Sequence, residues 1–151
     1  MDGTLKFWDF NTGDVNHVIN TYSKAYDIHL SRSEGSLVSG LEDKSIRVWS
    51  PKSKELIFKL EEAHSQPVCC VRFTPDENSI VSTSTDNSIK IWDIRTQKQL
   101  HSFTDERFKL GSSKAKLCIT NNSQYAICGT QDGAIVFYDI KAGALEQIVS
   151  K

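Results

Sequence analysis

A histidine, a serine, an aspartate and a tryptophan form the set of residues in this chain best suited to chemistry, namely His64, Ser84, Asp86 and Trp92. Serine, histidine and aspartate can serve as the nucleophile, the general base and the orienting acid of a hydrolase. Many such enzymes hold the serine in a Gly-x-Ser-x-Gly turn. The sequence contains no such turn, which argues against catalysis.

The aspartate and the tryptophan also belong to a short segment that occurs four times. The copies read DGTLKFWD, DKSIRVWS, DNSIKIWD and DGAIVFYD, and successive copies advance by 41, 43 and 46 residues. A set that recurs with the repeat is better explained as a hydrogen-bonded network that satisfies the buried polar atoms of a tight turn. We therefore predict a structural role for it and no enzymatic activity.

Metal ligands and cofactor motifs are not indicated. The histidines His17, His29 and His101 stand singly, without partners at ligand spacing. The four cysteines show no C-x-x-C pair, and their positions are Cys69, Cys70, Cys118 and Cys128. We interpret them as buried, reduced side chains, with Cys118 and Cys128 on two arms of one hairpin. No cofactor is predicted.

Composition narrows the class of protein further. The 18 basic and 19 acidic residues are scattered rather than clustered, so nothing favours nucleic-acid binding. No signal peptide is present, and no apolar run approaches the roughly 20 residues of a membrane span. These features predict a cytoplasmic protein.

The elements that must position these residues are short strands. Short apolar runs are broken by Ser, Gly, Asp and Pro about every ten residues, a pattern typical of antiparallel strands, and no segment has a sustained helical period. A repeat of this length whose strand ends in Trp-Asp resembles the WD40 repeat family. The resemblance implies an all-β propeller of four-stranded blades, with strands a to d in chain order.

On this basis the chain holds about three and a half blades. We predict a half blade with strands c and d alone over residues 1–22, then blades over 23–63, 64–107 and 108–151. Three and a half blades cannot close a ring, so we expect the remaining blades of a seven-bladed propeller to come from a longer chain. Blades of the WD40 family contain a hydrogen-bonded tetrad of His, Ser or Thr, Asp and Trp. By resemblance, the tetrad of this chain consists of His64, Ser84 (or Ser82 on the same face), Asp86 and Trp92.

A closer resemblance rests on the segment DIRTQKQLHSFTDERFKLG at residues 93–111, together with the flanking blocks TLKFWD, SGLEDKSIRVW and GALEQIVSK. It is similar to the C-terminal propeller of the autophagy-related protein 16-like family. That resemblance implies a module that recruits a lipid-conjugation complex, which attaches a ubiquitin-like protein to membranes. The implied partners are the autophagy conjugation machinery or the vacuolar ATPase. The resemblance also implies that the protein is recruited peripherally to membranes.

The recruiting residues of that family correspond by position to Tyr22 and Ser45, with Lys44 beside the latter. The longest connection in the chain, residues 104–114, adds a second candidate patch of Arg107, Phe108 and Lys109. An aromatic residue between two cations is a common interface anchor, although Phe108 could equally pack inward between blades. The alternative function is a structural WD40 scaffold, for example of centrioles or cilia.

Overall fold

The chain forms antiparallel sheets and contains no helix among the residues that the computed structural model describes, which are 2–105, 109 and 116–150. One sheet has two strands and three sheets have four strands each. In every four-stranded sheet, strands that follow each other in the chain lie side by side. This is the architecture of about three and a half propeller blades, which confirms the predicted fold class.

The half blade consists of β1 (Thr4–Trp8) and β2 (Val15–Asn20). The second blade has β3 (Ala25–Leu30), β4 (Leu37–Leu41), β5 (Ile46–Trp49) and β6 (Leu56–Leu60). The third has β7 (Val68–Phe73), β8 (Ser79–Ser84), β9 (Ser88–Asp93) and β10 (Lys98–Thr104). The fourth has β11 (Leu117–Ile119), β12 (Tyr125–Gly129), β13 (Ile135–Asp139) and β14 (Ala144–Val149).

The closing aromatic residue of each repeat marks an irregularity in the sheet. The pairing of strands c and d shifts register beside Trp8, Trp49, Trp92 and Tyr138. Such bulges increase the local twist of a strand pair. The repeated segment therefore fixes both the turn before strand c and the twist at its end.

The hydrophobic core lies between neighbouring blades. Three buried clusters join the half blade to the second blade, the second to the third, and the third to the fourth. Strand b is almost wholly buried in the second and third blades, whereas the outer strands β6, β10 and β14 alternate between exposed and partly buried positions. Trp8 of the half blade is 62% exposed, compared with 5% for Trp49 and 8% for Trp92.

The ends of the blades define two faces used below. The upper face carries the connections from strand d to the next strand a and the turns from b to c. The lower face carries the turns from a to b and from c to d. The boundary predicted between the last two blades, at residues 107 and 108, lies outside the described residues.

Candidate functional site

The central feature of the third blade is a chain of hydrogen bonds at its upper end. The Trp92 indole N–H donates to the Ser82 hydroxyl at 2.9 Å. That hydroxyl lies 2.8 Å from Nε2 of His64, and Nδ1 of His64 lies 3.1 Å from Oδ2 of Asp86. Strands b and c, the b–c turn and the preceding d–a connection thus meet at one point, which we call the observed tetrad: His64, Ser82, Asp86 and Trp92.

The hydrogen-bond pattern assigns the protons of this tetrad. Nδ1 of His64 donates to the Asp86 carboxylate, so Nε2 accepts the proton of the Ser82 hydroxyl, whose oxygen accepts from Trp92. This arrangement requires a neutral imidazole. Burial lowers the pKa of His64, and the neighbouring Asp86 carboxylate only partly offsets that effect.

For the serine of the tetrad, the sequence favours Ser84 and leaves Ser82 as the alternative, and the structure places Ser82 in the network. The Ser84 hydroxyl donates to the carbonyl of Gln66 at 3.0 Å and accepts the backbone N–H of Asp86 at 3.1 Å, so it closes the turn and does not contact His64. Ser82 is two residues earlier and therefore on the same face of strand b. The ten-residue spacing between Ser82 and Trp92, repeated by Ser39 and Trp49, was the signal that could have selected it.

The tetrad is built to hold a turn. Ser82 is fully buried and its hydroxyl is occupied on both sides, so a substrate has no access to it. Burial by itself raises the pKa of Asp86, but hydrogen bonds from His64, Ser88 and the backbone of Ser65 lower it well below its usual range. The carboxylate stays ionised and ties the turn to the d–a connection.

The second blade replaces this network with an arginine. Thr21 occupies the position of the histidine, while Trp49 still donates to Ser39 at 2.9 Å. Arg47 forms an ion pair with Asp43 and donates to the carbonyl of Thr21 at 2.6 Å. A planar guanidinium can bridge both acceptors at once.

In the sequence, the alternation of the strand c cations Lys6, Arg47 and Lys90 with apolar residues predicts a solvated face, and the structure corrects this prediction for Arg47 and Lys90. The Arg47 side chain is only 12% exposed. Lys90 donates to the carbonyl of Ala63 at 2.7 Å and lies 5.7 Å from the centre of the Trp92 ring, and Lys6 pairs with Asp2 at 3.0 Å. All three bind the upper end of their own blade.

The fourth blade has lost the polar core of the network. Cys128 and Tyr138 stand ten residues apart, where the third blade has Ser82 and Trp92. The Tyr138 ring is fully buried, and its hydroxyl has no hydrogen-bond partner among the described residues. Burial, followed by the nearby Asp139 carboxylate, raises the pKa of Tyr138.

We expect Tyr138→Phe to raise the free energy of unfolding by about 1 kcal/mol, because an unpaired buried hydroxyl costs stability. Tyr26→Phe is the matched control, since the Tyr26 hydroxyl donates to Glu42 at 3.1 Å and its removal should cost stability instead. Urea denaturation of both variants measures the two changes. A loss of stability in Tyr138→Phe would show that the hydroxyl is satisfied.

The upper face of the second blade presents the first candidate patch, Tyr22 and Lys44. Tyr22 is 92% exposed, and Lys44 is also exposed. Backbone hydrogen bonds hold their two loops together, from Asp43 to the Ser23 hydroxyl at 2.9 Å and from Glu42 to the carbonyl of Lys24 at 2.8 Å. Ser45, by contrast, is buried and donates to Asp43, so the position that corresponds to the recruiting lysine supplies no side chain to the surface, whereas the neighbouring Lys44 does.

The second candidate patch is described only in part. Arg107 and Phe108 lie outside the described residues. Lys109 is exposed, and its carbonyl accepts the backbone N–H of Gln131 at 2.7 Å. Gln131 belongs to the b–c turn of the fourth blade, so Lys109 is on the same upper face as Tyr22 and Lys44.

No group of three or more His, Cys, Asp or Glu side chains in the described part of the chain is arranged to hold a metal ion. No helix of the described residues is long and apolar enough to cross a membrane.

The chain is similar in sequence to known proteins. A family model described as "WD domain, G-beta repeat" matches residues 13–50 and 54–93, which is more than half of the chain. Protein tipD of Dictyostelium discoideum is 28% identical over 152 residues, covering 99% of this chain and 25% of that protein.

Two further relatives carry different functional names. Autophagy-related protein 16 of Arabidopsis thaliana is 25% identical over 150 residues, covering 99% of this chain and 29% of that protein. Ribosome biogenesis protein WDR12 homolog of Aedes aegypti is 27% identical over 151 residues, covering 97% of this chain and 34% of that protein. The chain therefore spans only about a quarter to a third of the length of these curated relatives.

Proposed function

Because this chain belongs to the WD40 repeat family, whose propellers generally serve as protein-interaction modules, we propose that it recruits an autophagy-type conjugation complex. In this role it binds proteins without catalysis, in the cytoplasm and at membranes to which it is peripherally recruited. The partner is the conjugation machinery or the vacuolar ATPase. The relative named Autophagy-related protein 16, which aligns over 99% of this chain, supports the proposal.

The observation that carries the proposal is the exposure of Tyr22. A tyrosine side chain 92% open to solvent buries almost none of its apolar ring, and tyrosines at interfaces often supply a large share of binding energy. Its backbone has φ of +54°, a conformation that costs a bulky residue free energy. Other residues in turns of the chain share a positive φ, Lys44 among them, so the exposure of the ring is what distinguishes Tyr22.

The surroundings of Tyr22 give the patch a charge pattern. Lys24 and Glu42 pair at 3.0 Å and neutralise each other, which leaves Lys44 as the neighbouring cation. An aromatic ring beside one lysine suits a partner that offers an apolar pocket rimmed by carboxylates. Such a face recognises a folded protein surface better than a nucleic acid.

We expect the double variant Tyr22→Ala and Lys44→Ala to reduce capture of the conjugation complex about tenfold, since loss of one interface anchor costs 1 to 2 kcal/mol. The melting temperature should not change, because both side chains are exposed. A pull-down from cell extract with quantitative mass spectrometry measures the captured proteins. A second double variant, Arg107→Glu with Lys109→Glu, tests the second patch in the same way.

Phe10→Ala with Lys52→Ala is the matched control. Phe10 is 100% exposed and Lys52 is exposed, and both belong to c–d turns on the lower face. This variant should capture the complex as well as the unchanged protein does. Full capture by both upper-face variants would contradict the proposed surface. Capture of ribosome precursors or of centriolar proteins in place of the conjugation complex would favour the scaffold alternative.

A further inference from the structure

A cavity of about 280 Å³ lies on the lower face, where the a–b turns of three successive blades meet. It is bounded by the ends of β3, β7 and β11. Its polar lining includes His29, Arg32, Arg72 and Asn121, and Phe73 and Ile119 provide apolar walls. We call it the lower pocket, and it lies at the opposite end of the blades from Tyr22 and Lys44.

The charge around the lower pocket is positive. Asp27 is the carboxylate that pairs with Arg72, but the same carboxylate also accepts Lys116 at 2.9 Å and the backbone N–H of Val71 at 3.1 Å. One negative charge therefore faces two positive charges. None of the described lining residues is an Asp or a Glu.

The histidine adds a neutral donor. Nδ1 of His29 accepts the backbone N–H of Phe73 at 3.1 Å, so its proton must be on Nε2. Burial lowers the pKa of His29, and the nearby Arg72 lowers it further. The pocket thus offers two guanidinium groups, one imidazole N–H and one amide, all able to donate to an anion.

Arg32 is held at the rim by its turn. Glu77 of the third blade accepts both the backbone N–H and the hydroxyl of Ser33 at 2.6 Å. This contact joins the a–b turns of two blades and fixes the position from which the exposed Arg32 side chain reaches the cavity. Glu77 also lies close enough to Arg32 for a favourable charge interaction.

We propose that the lower pocket binds the carboxylate of an aspartate or glutamate in an extended peptide, with an adjacent apolar residue against Phe73 and Ile119. Because Asp27 and Glu77 offset part of the cationic charge, the site matches a monoanion better than a dianionic phosphate. A volume of 280 Å³ equals about nine water molecules, enough for one acidic side chain and part of its neighbour. The proposal is independent of the upper face.

The prediction that all four cysteines are buried is wrong for Cys118, which is exposed. Because Cys118 also lines the pocket, it provides the reporter for a test. The other three cysteines of the chain are buried, and burial raises the pKa of Cys70 and Cys128 to about 12. A thiolate is the reactive form of cysteine. Iodoacetamide should therefore modify Cys118 selectively, and mass spectrometry of the fragment that contains it gives the rate.

The probe is a capped nonapeptide, Gly-Ser-Gly-Leu-Glu-Leu-Gly-Ser-Gly, added to the full-length protein. At about twice its Kd it should slow the modification of Cys118 about threefold, since occupancy shields the thiol. The same peptide with Gln in place of Glu should leave the rate unchanged. Arg32→Gln should abolish the protection, whereas Arg95→Gln, an exposed arginine in a c–d turn, should retain it.

Three results would overturn the proposal. They are absence of protection by the Glu peptide, equal protection by the Gln peptide, and stronger protection by a phosphoserine peptide of the same frame. The last result would assign the pocket to phosphopeptides. None of them bears on capture through Tyr22, so failure here leaves the proposed function testable by its own variants.

Discussion

Replacing Gly40 with alanine should lower the free energy of unfolding by about 1 to 3 kcal/mol, the usual cost of forcing an extra methyl group into a packed core. Gly40 lies on β4 and faces β7 of the next blade. A Cβ atom at this position would lie 2.8 Å from Cγ1 of Val68 and 3.0 Å from Cγ1 of Val71. Both valines are fully buried, and β-branched side chains have few alternative rotamers.

Gly129 is the matched control for this substitution, because it occupies the same position of the fourth blade. A Cβ atom there meets nothing within 4 Å in the described residues. Measured on the 151-residue chain, Gly129→Ala should leave stability unchanged or raise it slightly, since alanine restricts the unfolded chain. Denaturant titrations of the two variants give the comparison. Equal losses would mean that the effect comes from the strand backbone and not from the contact between blades.

The strand order could be predicted from sequence because the repeat constrains it. Each copy of the repeated segment, which runs from an Asp to a Trp or Tyr, predicts a turn followed by strand c. Each of the short apolar runs before and after it is long enough for one strand. In the third blade, for example, the apolar runs predict strands at Val68–Phe73 and at residues 80–84, and the structure has them at Val68–Phe73 and Ser79–Ser84. Contacts between blades carry no such local signal, so the tight site at Gly40 became visible only in the structure.

The site was less predictable than the fold. Ser82 and Ser84 are both serines on the same face of one strand. Only the ten-residue spacing to Trp92, and the register that sets Ile80 opposite Trp92, distinguish them. Arg47 and Lys90 look like solvent-facing cations in sequence, because their acceptors are backbone carbonyls of the preceding connection. The lower pocket draws its residues from three different blades, so no single segment of the sequence indicates it.

The second large effect is expected for Asp86→Ala, which should lower the free energy of unfolding by about 1 to 3 kcal/mol, because several buried donors lose their acceptor. Asp86 accepts Nδ1 of His64 at 3.1 Å and the backbone N–H groups of Ser65 and Ser88 at 3.0 Å each. Asp132→Ala is the control in the fourth blade. Asp132 is exposed and accepts chiefly the Thr130 hydroxyl, so its loss should be smaller.

The pH dependence separates a network effect from a simple turn effect. The pKa of Asp86 is lowered in the folded protein, so its stabilisation is present above its unfolded pKa of about 3.9 and is lost as the pH falls below it. The pKa of His64 is also lowered. Below about pH 6.5, His64 therefore binds a proton in the unfolded chain but resists protonation in the folded tetrad, so the free energy of unfolding decreases as the pH is lowered.

Without the Asp86 carboxylate, His64 should resist protonation still more strongly. The difference in unfolding free energy between the unchanged protein and Asp86→Ala should therefore widen from pH 7 to about 5, and narrow below about pH 4 as the carboxylate is protonated. Urea titrations at pH 7, 5.5 and 3.5 measure this difference. A difference that does not widen between pH 7 and 5.5 would mean that Asp86 acts only as a turn residue, and that its contact with His64 contributes nothing to the stability of the blade.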